Sequence, residues 1–104
     1  MKVRYLRGAR RNIADISDWI RRDNPAAASH VGHRIQEVIG KLAKRPGMGA
    51  PGQVPGTREF KIPGLPYRIV YRVTTGMDGE VLEVLRVQHE ARDEQPPDWE
   101  GPTY

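Results

Sequence analysis

The stretch KIPGLPYRIVYRV, residues 61–73, decides the fold, because from Tyr67 onward its side chains alternate between two kinds. The apolar or aromatic kind comprises Tyr67, Ile69, Tyr71 and Val73. The basic kind comprises Arg68 and Arg72. A period of two is typical of a strand with one face on a core and the other face open. The pattern leaves open what the arginines face, which is either solvent or an anion such as a phosphate or an acidic partner.

A second strand is predicted in TREFKI, residues 57–62, just before the turn PGLP. Phe60 and Ile62 are expected to face the core, together with Arg58. The outward set is then Glu59 and Lys61. The preceding segment 45–56 is dense in glycine and proline and is predicted to be a loop.

The last predicted strand is EVLEVLRVQ, residues 80–88, and the turn TTGMDG joins it to the strand before it. The side chains expected to face the core are Val81, Leu85 and Val87. This choice leaves Arg86 on the outward face. Because Leu82 and Val84 are apolar as well, the strand is expected to be central in its sheet.

Two helices are predicted ahead of these strands. Apolar residues recur every three or four positions from Ala9 to about Arg22, which indicates one amphipathic helix. A second helix is predicted from Pro25 to about Lys44, with Asn24 as its N-cap. The very short break between the helices favours an antiparallel hairpin.

These elements, with a first strand in KVRYL, residues 2–6, give the order β-α-α-β-β-β. The predicted fold class is α+β, with the helical hairpin packed on a small twisted antiparallel sheet and the first strand at an edge. One domain is expected over residues 1–93, followed by an acidic, proline-rich C-terminal tail over residues 94–104.

Composition narrows the class of protein. Residues 1–89 carry 16 Lys and Arg against 8 Asp and Glu, hence +8, while residues 90–104 carry one arginine and five acids, hence −4. A basic body suggests an anionic partner, although an acidic tail can also serve solubility alone. There is no cysteine, which is compatible with a reducing cytoplasm, and no apolar run of membrane-spanning or signal-peptide length.

The open face of the predicted sheet is the candidate site. Its basic residues are Lys61, Arg68, Arg72 and Arg86, with Glu59 as the one acid and His89 near the rim. Arginine presents a planar fork that matches phosphate or carboxylate. RNA cleavage by 2′-OH attack would need such cations for charge stabilisation and a proton carrier, for which His89 or Glu59 would serve.

Other chemistries are not supported by the sequence. His30 and His33 are three residues apart on the second helix, but no third metal ligand accompanies them. No phosphate-binding loop and no nucleophile elbow is present. The sequence therefore predicts neither a metal nor a cofactor.

Several motifs together resemble the RelE/ParE superfamily, the toxin components of bacterial type II toxin–antitoxin modules. They are DISDWIRRDNPAAASHVGHRIQEVIGKLAKRPGMG, REFKI, YRIVYRV and VLEVLRVQHEARD. The resemblance covers roughly residues 3–93 and is greatest to the ParE branch. The fold it implies, two helices on a small twisted antiparallel sheet, agrees with the pattern above.

The resemblance implies one of two activities. The RelE-like branch cleaves messenger RNA on the ribosome with basic residues of the open face, and here Lys61 and Arg68, with His89, would be the catalytic set. The ParE-like branch poisons DNA gyrase and lacks that set. Glu59 and Glu90 stand where the ribonucleases have cations, and EQPP, residues 94–97, replaces their C-terminal tyrosine. These departures favour gyrase over the ribosome and mRNA as the target.

The resemblance also implies a cognate antitoxin with an acidic, amphipathic C-terminal segment, and a cytoplasmic location. The residues expected to contact the target or the antitoxin are Lys61, Arg68, Arg72, Arg86, His89 and Arg92. A toxin that has lost its activity and retains antitoxin binding alone is a further alternative.

Overall fold

The computed structural model describes residues 1–90 and places two helices on one face of a five-stranded sheet. The elements, in chain order, are β1 Lys2–Tyr5, α1 Arg7–Arg21, α2 Pro25–Lys44, β2 Ala50–Pro51, β3 Arg58–Lys61, β4 Tyr67–Gly76 and β5 Gly79–His89. The predicted order and the α+β class are confirmed. The predicted loop also contains a 3₁₀ turn, Pro46–Met48, and the two-residue strand β2.

The strand order across the sheet is β1-β5-β4-β3-β2. The meander β3-β4-β5 is antiparallel as predicted, and β5 lies in the interior of the sheet. The edge strand β1 pairs with β5 in parallel, so the sheet is mixed rather than purely antiparallel.

Local sequence signals explain the helix boundaries. The amide of Ala27 donates to Asn24 Oδ1 at 3.0 Å, so the predicted N-cap is present, and Pro25 occupies the first turn. The face of α2 that is buried against the sheet consists of Ala28, Val31, Ile35, Val38, Ile39, Leu42 and Ala43. From α1, Ala9 is fully buried, and Ile13, Ile16 and Ile20 pack against the same core.

The sheet contributes to two apolar clusters, one on each face. The main core under the helices includes Leu82, Val84 and Val87 of β5, together with Ile69 and Tyr71 of β4. A smaller cluster on the opposite face consists of Leu6, Val70 and Leu85, with Val54 packed against it. The prediction that Val81 and Leu85 face the main core is therefore wrong, whereas that for Val87 is correct.

A β-bulge in β5 is the physical reason. Val70 pairs with Arg86 and Tyr71 pairs with Val84, so Leu85 is an extra residue that shifts the alternation by one. Helix α1 closes over this irregularity. Asn12 Oδ1 accepts a hydrogen bond from the amide of Val87 at 3.0 Å, and a Cβ at Gly8 would lie only 3.3 Å from the carbonyl oxygen of Leu85.

None of the helices in residues 1–90 is long and apolar enough to cross a membrane. The expected tail, residues 94–104, lies outside the described residues, as does Arg92. The boundary at residue 93 stays a prediction.

Candidate functional site

The face of the sheet away from the helices, which we call the open face, carries the predicted basic residues. Lys61 of β3 pairs in register with Arg68 of β4. Arg68 and Arg72 of β4 alternate with the core residues Ile69 and Tyr71, and Arg86 of β5 stands opposite Val70. The structure therefore brings Lys61, Arg68, Arg72 and Arg86 to one face.

Glu83 is the residue of this face that the sequence reasoning missed. Its carboxylate is almost fully buried, and it accepts from Arg72 Nε at 2.8 Å and from Arg4 Nη1 at 3.1 Å. Arg4 reaches it from β1, whose residues align with β5 in parallel register. One signal was available: Glu83 is a lone acid between the apolar residues of a predicted central strand, and such a charge needs a partner.

A second carboxylate lies beside Arg68. Arg68 Nε is 3.6 Å from Glu59 Oε1 and 3.5 Å from the amide oxygen of Gln88. Both charged side chains are mostly buried, with exposed fractions of 24% and 17%, so solvent screens this pair less than an ordinary surface pair. Glu59, predicted as the one acid of the face, is thus engaged with one of its cations.

A third carboxylate, Glu90, lies 3.4 Å from Lys61 Nζ at the end of the sheet. Its backbone amide donates to the carbonyl of Pro66 at 2.8 Å, which fixes the chain just beyond β5. Glu90, which stands where the resemblance to ribonucleases implies a cation, is therefore paired with Lys61.

His89 is not at the rim of the open face, contrary to the prediction. It is the last residue of β5 and pairs with Tyr67, a member of the main core. The two rings meet edge to face, with centroids 5.4 Å apart and planes at 89°. His89 is two positions after Val87, so the alternation of the strand places both on the helix-side face.

Arg86 differs from the other arginines of the face. Its Nε is buried and has no hydrogen-bond partner within residues 1–90. Unlike Lys61, Arg68 and Arg72, Arg86 forms no ion pair with a carboxylate of residues 1–90.

Three carboxylates, those of Glu59, Glu83 and Glu90, therefore oppose the cations of the open face. The expectation of one acid among many cations was wrong, because the bulge places Glu83 on this face and Glu90 turns back towards Lys61. A face in which arginines are held by internal carboxylates presents less free charge to a phosphate.

The histidines of α2 do not extend the site. His30 and His33 are both exposed. Within residues 1–90, no cluster of three or more metal-ligating side chains is present.

Comparison with known proteins places this geometry in a class. In fold, the chain is similar to a chromosomal ParDE toxin–antitoxin system from P. aeruginosa, at a TM-score of 0.74 and 25% identity, over 86% of this chain and 95% of that one. It is also similar to a YoeB/ParE toxin from Agrobacterium tumefaciens, at a TM-score of 0.58 and 20% identity, over 86% and 98% of the two chains. A third similar fold is that of the toxin–antitoxin complex RelBE2 from Mycobacterium tuberculosis, at a TM-score of 0.56 and 24% identity, over 85% of this chain and 95% of that one.

The fold is thus that of toxins from toxin–antitoxin systems. Residues 3–94 match the family model described as the ParE toxin of the type II toxin–antitoxin system parDE, and the chain belongs to this family. A curated relative, the candidate toxin Y4kP of Sinorhizobium fredii, is 34% identical over 89 residues, which is 86% of this chain and 91% of that protein.

Proposed function

We propose that this toxin inhibits growth by poisoning DNA gyrase and that it does not cleave messenger RNA. The observation that carries the choice is the pairing of the two cations that a ribonuclease would use. Lys61 lies 3.4 Å from Glu90, and Arg68 lies 3.6 Å from Glu59. Membership in the ParE family supports the same choice.

Chemistry explains why this pairing matters. Cleavage of RNA by its 2′-OH requires positive groups at the pentacoordinate phosphate and a proton carrier within hydrogen-bond reach. A carboxylate beside each cation repels the phosphate and competes for the same donors. His89, the expected proton carrier, packs against Tyr67 on the other face.

The test uses the purified full chain in two assays. Added to gyrase and relaxed plasmid, the protein should inhibit supercoiling and leave cleaved DNA. Added to ribosomes that hold a message, it should leave the message intact. Protein mixed beforehand with its antitoxin is the control. Codon-boundary cleavage of the message would overturn the proposal in favour of a ribonuclease, and inactivity in both assays would favour a chain that retains antitoxin binding alone.

The proposed partner is a cognate antitoxin whose C-terminal segment is acidic and amphipathic. Residues 1–89 carry a formal charge of +8, which an acidic segment would complement. Such a segment would be disordered alone and would fold on binding, at an ordering cost of about 2–5 kcal/mol. Gyrase as the target would place the toxin in the cytoplasm.

A further inference from the structure

Three arginines at the start of α1 form a second basic cluster, on a different element from the arginines of the open face. Arg7, Arg10 and Arg11 are all exposed, and none makes an ion pair or a side-chain hydrogen bond within residues 1–90. We call them the α1 arginine face. Elsewhere on the helices arginines have partners, since Arg21 binds Asp18 at 2.7 Å and Arg34 binds Glu37 at 3.0 Å.

This arrangement does not stabilise the helix. Arg10 and Arg11 follow Arg7 by three and four positions, so each lies next to Arg7 on the helix surface, where like charges repel. They also lie in the first turns, where the positive end of the helix dipole disfavours cations, and no acid occupies the first turn to offset them. Because these exposed arginines pair with no carboxylate of residues 1–90, an external anion can serve as their partner.

The surroundings of the α1 arginine face favour a phosphate backbone over a protein. Protein interfaces depend on a few buried aromatic or aliphatic anchors. The exposed large apolar side chains of residues 1–90 lie elsewhere, at Met1, Trp19, Met48, Val73 and Met77. Arg10 borders a groove that Tyr5 and Ile13 help to line, but Arg7 and Arg11 lie outside the lining of that groove. A purely cationic patch binds through charge alone, as in sequence-independent contact with phosphates.

The patch is also rigidly held. Asn12, adjacent to Arg11, accepts from the amide of Val87, and Gly8 packs closely against the carbonyl of Leu85. The arginines therefore project from a backbone that is fixed to the central strand, which lowers the entropic cost of binding.

We propose that the α1 arginine face binds the phosphodiester backbone of a duplex nucleic acid. This site is built on α1 and not on the sheet, and its existence does not depend on gyrase being the target. Three phosphate contacts should give an affinity that falls about 20-fold between about 50 and 150 mM salt, since each contact adds a slope of about 0.9 in log K against log salt.

The experiment measures fluorescence anisotropy of labelled DNA and RNA duplexes of about 20 base pairs with the full-length protein across that salt range. The test variant combines Arg7→Gln with Arg11→Gln, two sites one helical turn apart and outside the groove. The control variant combines Arg21→Gln with Arg34→Gln, which removes the same net charge from arginines that are already paired. Glutamine is a good helix former, and thermal melting should show both variants folded.

We expect the test variant to lose about two units of salt slope while the control retains the affinity of the parent protein. Binding of the DNA or the RNA duplex identifies the source of the backbone. The proposal is overturned if neither duplex binds, if both variants weaken equally, or if the test variant loses affinity for the antitoxin and none for nucleic acid. Because the gyrase assay is separate, a toxin that binds duplex DNA but leaves gyrase active would refute only the proposed target.

Discussion

Arg72 and Glu83 stand opposite each other on neighbouring strands, with Arg72 Nε 2.8 Å from Glu83 Oε1. Glu83 is shared with Arg4, so one buried carboxylate holds two cations from the strands on either side of β5. Burial of a carboxylate is costly unless it is paired and hydrogen-bonded. Arg72, the second arginine of YRIVYRV, therefore binds an acid of its own chain, a partner that the two alternatives of solvent and external anion did not include.

Replacing Glu83 tests the weight of this network. Glu83→Ala should lower the free energy of unfolding by about 2–4 kcal/mol, because it removes two charge-assisted hydrogen bonds, from Arg72 and from Arg4, to a buried carboxylate. Urea denaturation would measure the loss. Asp78→Asn is the matched control, since Asp78 pairs with Lys2 where both side chains are mostly exposed, and it should cost less than about 0.5 kcal/mol. Equal losses in the two variants would show that Glu83 has no special role.

The pairings at the end of the sheet predict a gain of phosphate binding when the acids are removed. Glu59→Gln with Glu90→Gln should remove the carboxylates that compete with a phosphate for Arg68 and Lys61, and affinity for single-stranded RNA should rise. Two added phosphate contacts should steepen the salt slope by about 1.4. Filter binding at several salt concentrations would measure both. Glu37→Gln with Glu80→Gln removes the same charge from other surfaces and controls for net charge. No difference between the two double variants would contradict the importance of these pairs.

Much of the fold could be predicted because each helix and the strand β4 carry a clean period. Asn24, Pro25 and the apolar stripe of α2 set the bounds of that helix correctly. The strand β5 is apolar on both faces, so its pattern could place it centrally but could not show where its alternation changes. Asn12 and Gly8 approach the bulge at Leu85 from α1, more than 70 positions earlier in the chain.

The candidate site was predicted less well for the same reason. Lys61, Arg68 and Arg72 precede the bulge and were assigned to the correct face. Glu83 lies before the extra residue, and its face follows from a register that no local pattern reveals. His89 is two positions after Val87, so alternation from Val87 already predicts the helix-side face for it.

The hydrogen bond from Val87 to Asn12 should therefore support the bulge. Asn12→Ala leaves the amide of Val87 without its acceptor and should destabilise the protein by about 1–3 kcal/mol. Hydrogen exchange at Val87 should accelerate more than exchange at α2, since the lost bond is local. Asn12→Asp keeps an acceptor oxygen and should retain most of the protection. Unchanged exchange at Val87 in the alanine variant would mean that the bulge is held by other contacts.

Tyr71 connects the core to the loop before β3, and its ionisation should make stability depend on pH. The hydroxyl accepts from the amide of Gly49 at 3.0 Å and donates to the carbonyl of Pro46. Burial raises the pKa of Tyr71 above its usual value of 10.0, and the Gly49 hydrogen bond and the Arg58 charge only partly oppose that rise. The folded protein thus keeps this proton at a pH where the unfolded chain loses it.

The sign of the effect follows from this difference in pKa. Below about pH 10 both states are protonated and the contribution of Tyr71 to stability is complete. As the pH rises above about 10, ionisation favours the unfolded state and the contribution declines.

Tyr71→Phe should be less stable than the parent by about 1–3 kcal/mol near pH 8, because two polar backbone groups lose their partner. That gap should narrow above about pH 10, since the phenylalanine variant has no proton to lose at this site. Tyr5, whose pKa burial also raises, is present in both proteins, so its contribution cancels in the comparison. Urea denaturation of the parent and the phenylalanine variant at pH values below and above 10 would measure the difference in stability. A difference that stays constant or widens would show that the hydroxyl of Tyr71 ionises at least as readily in the folded protein as in the unfolded chain.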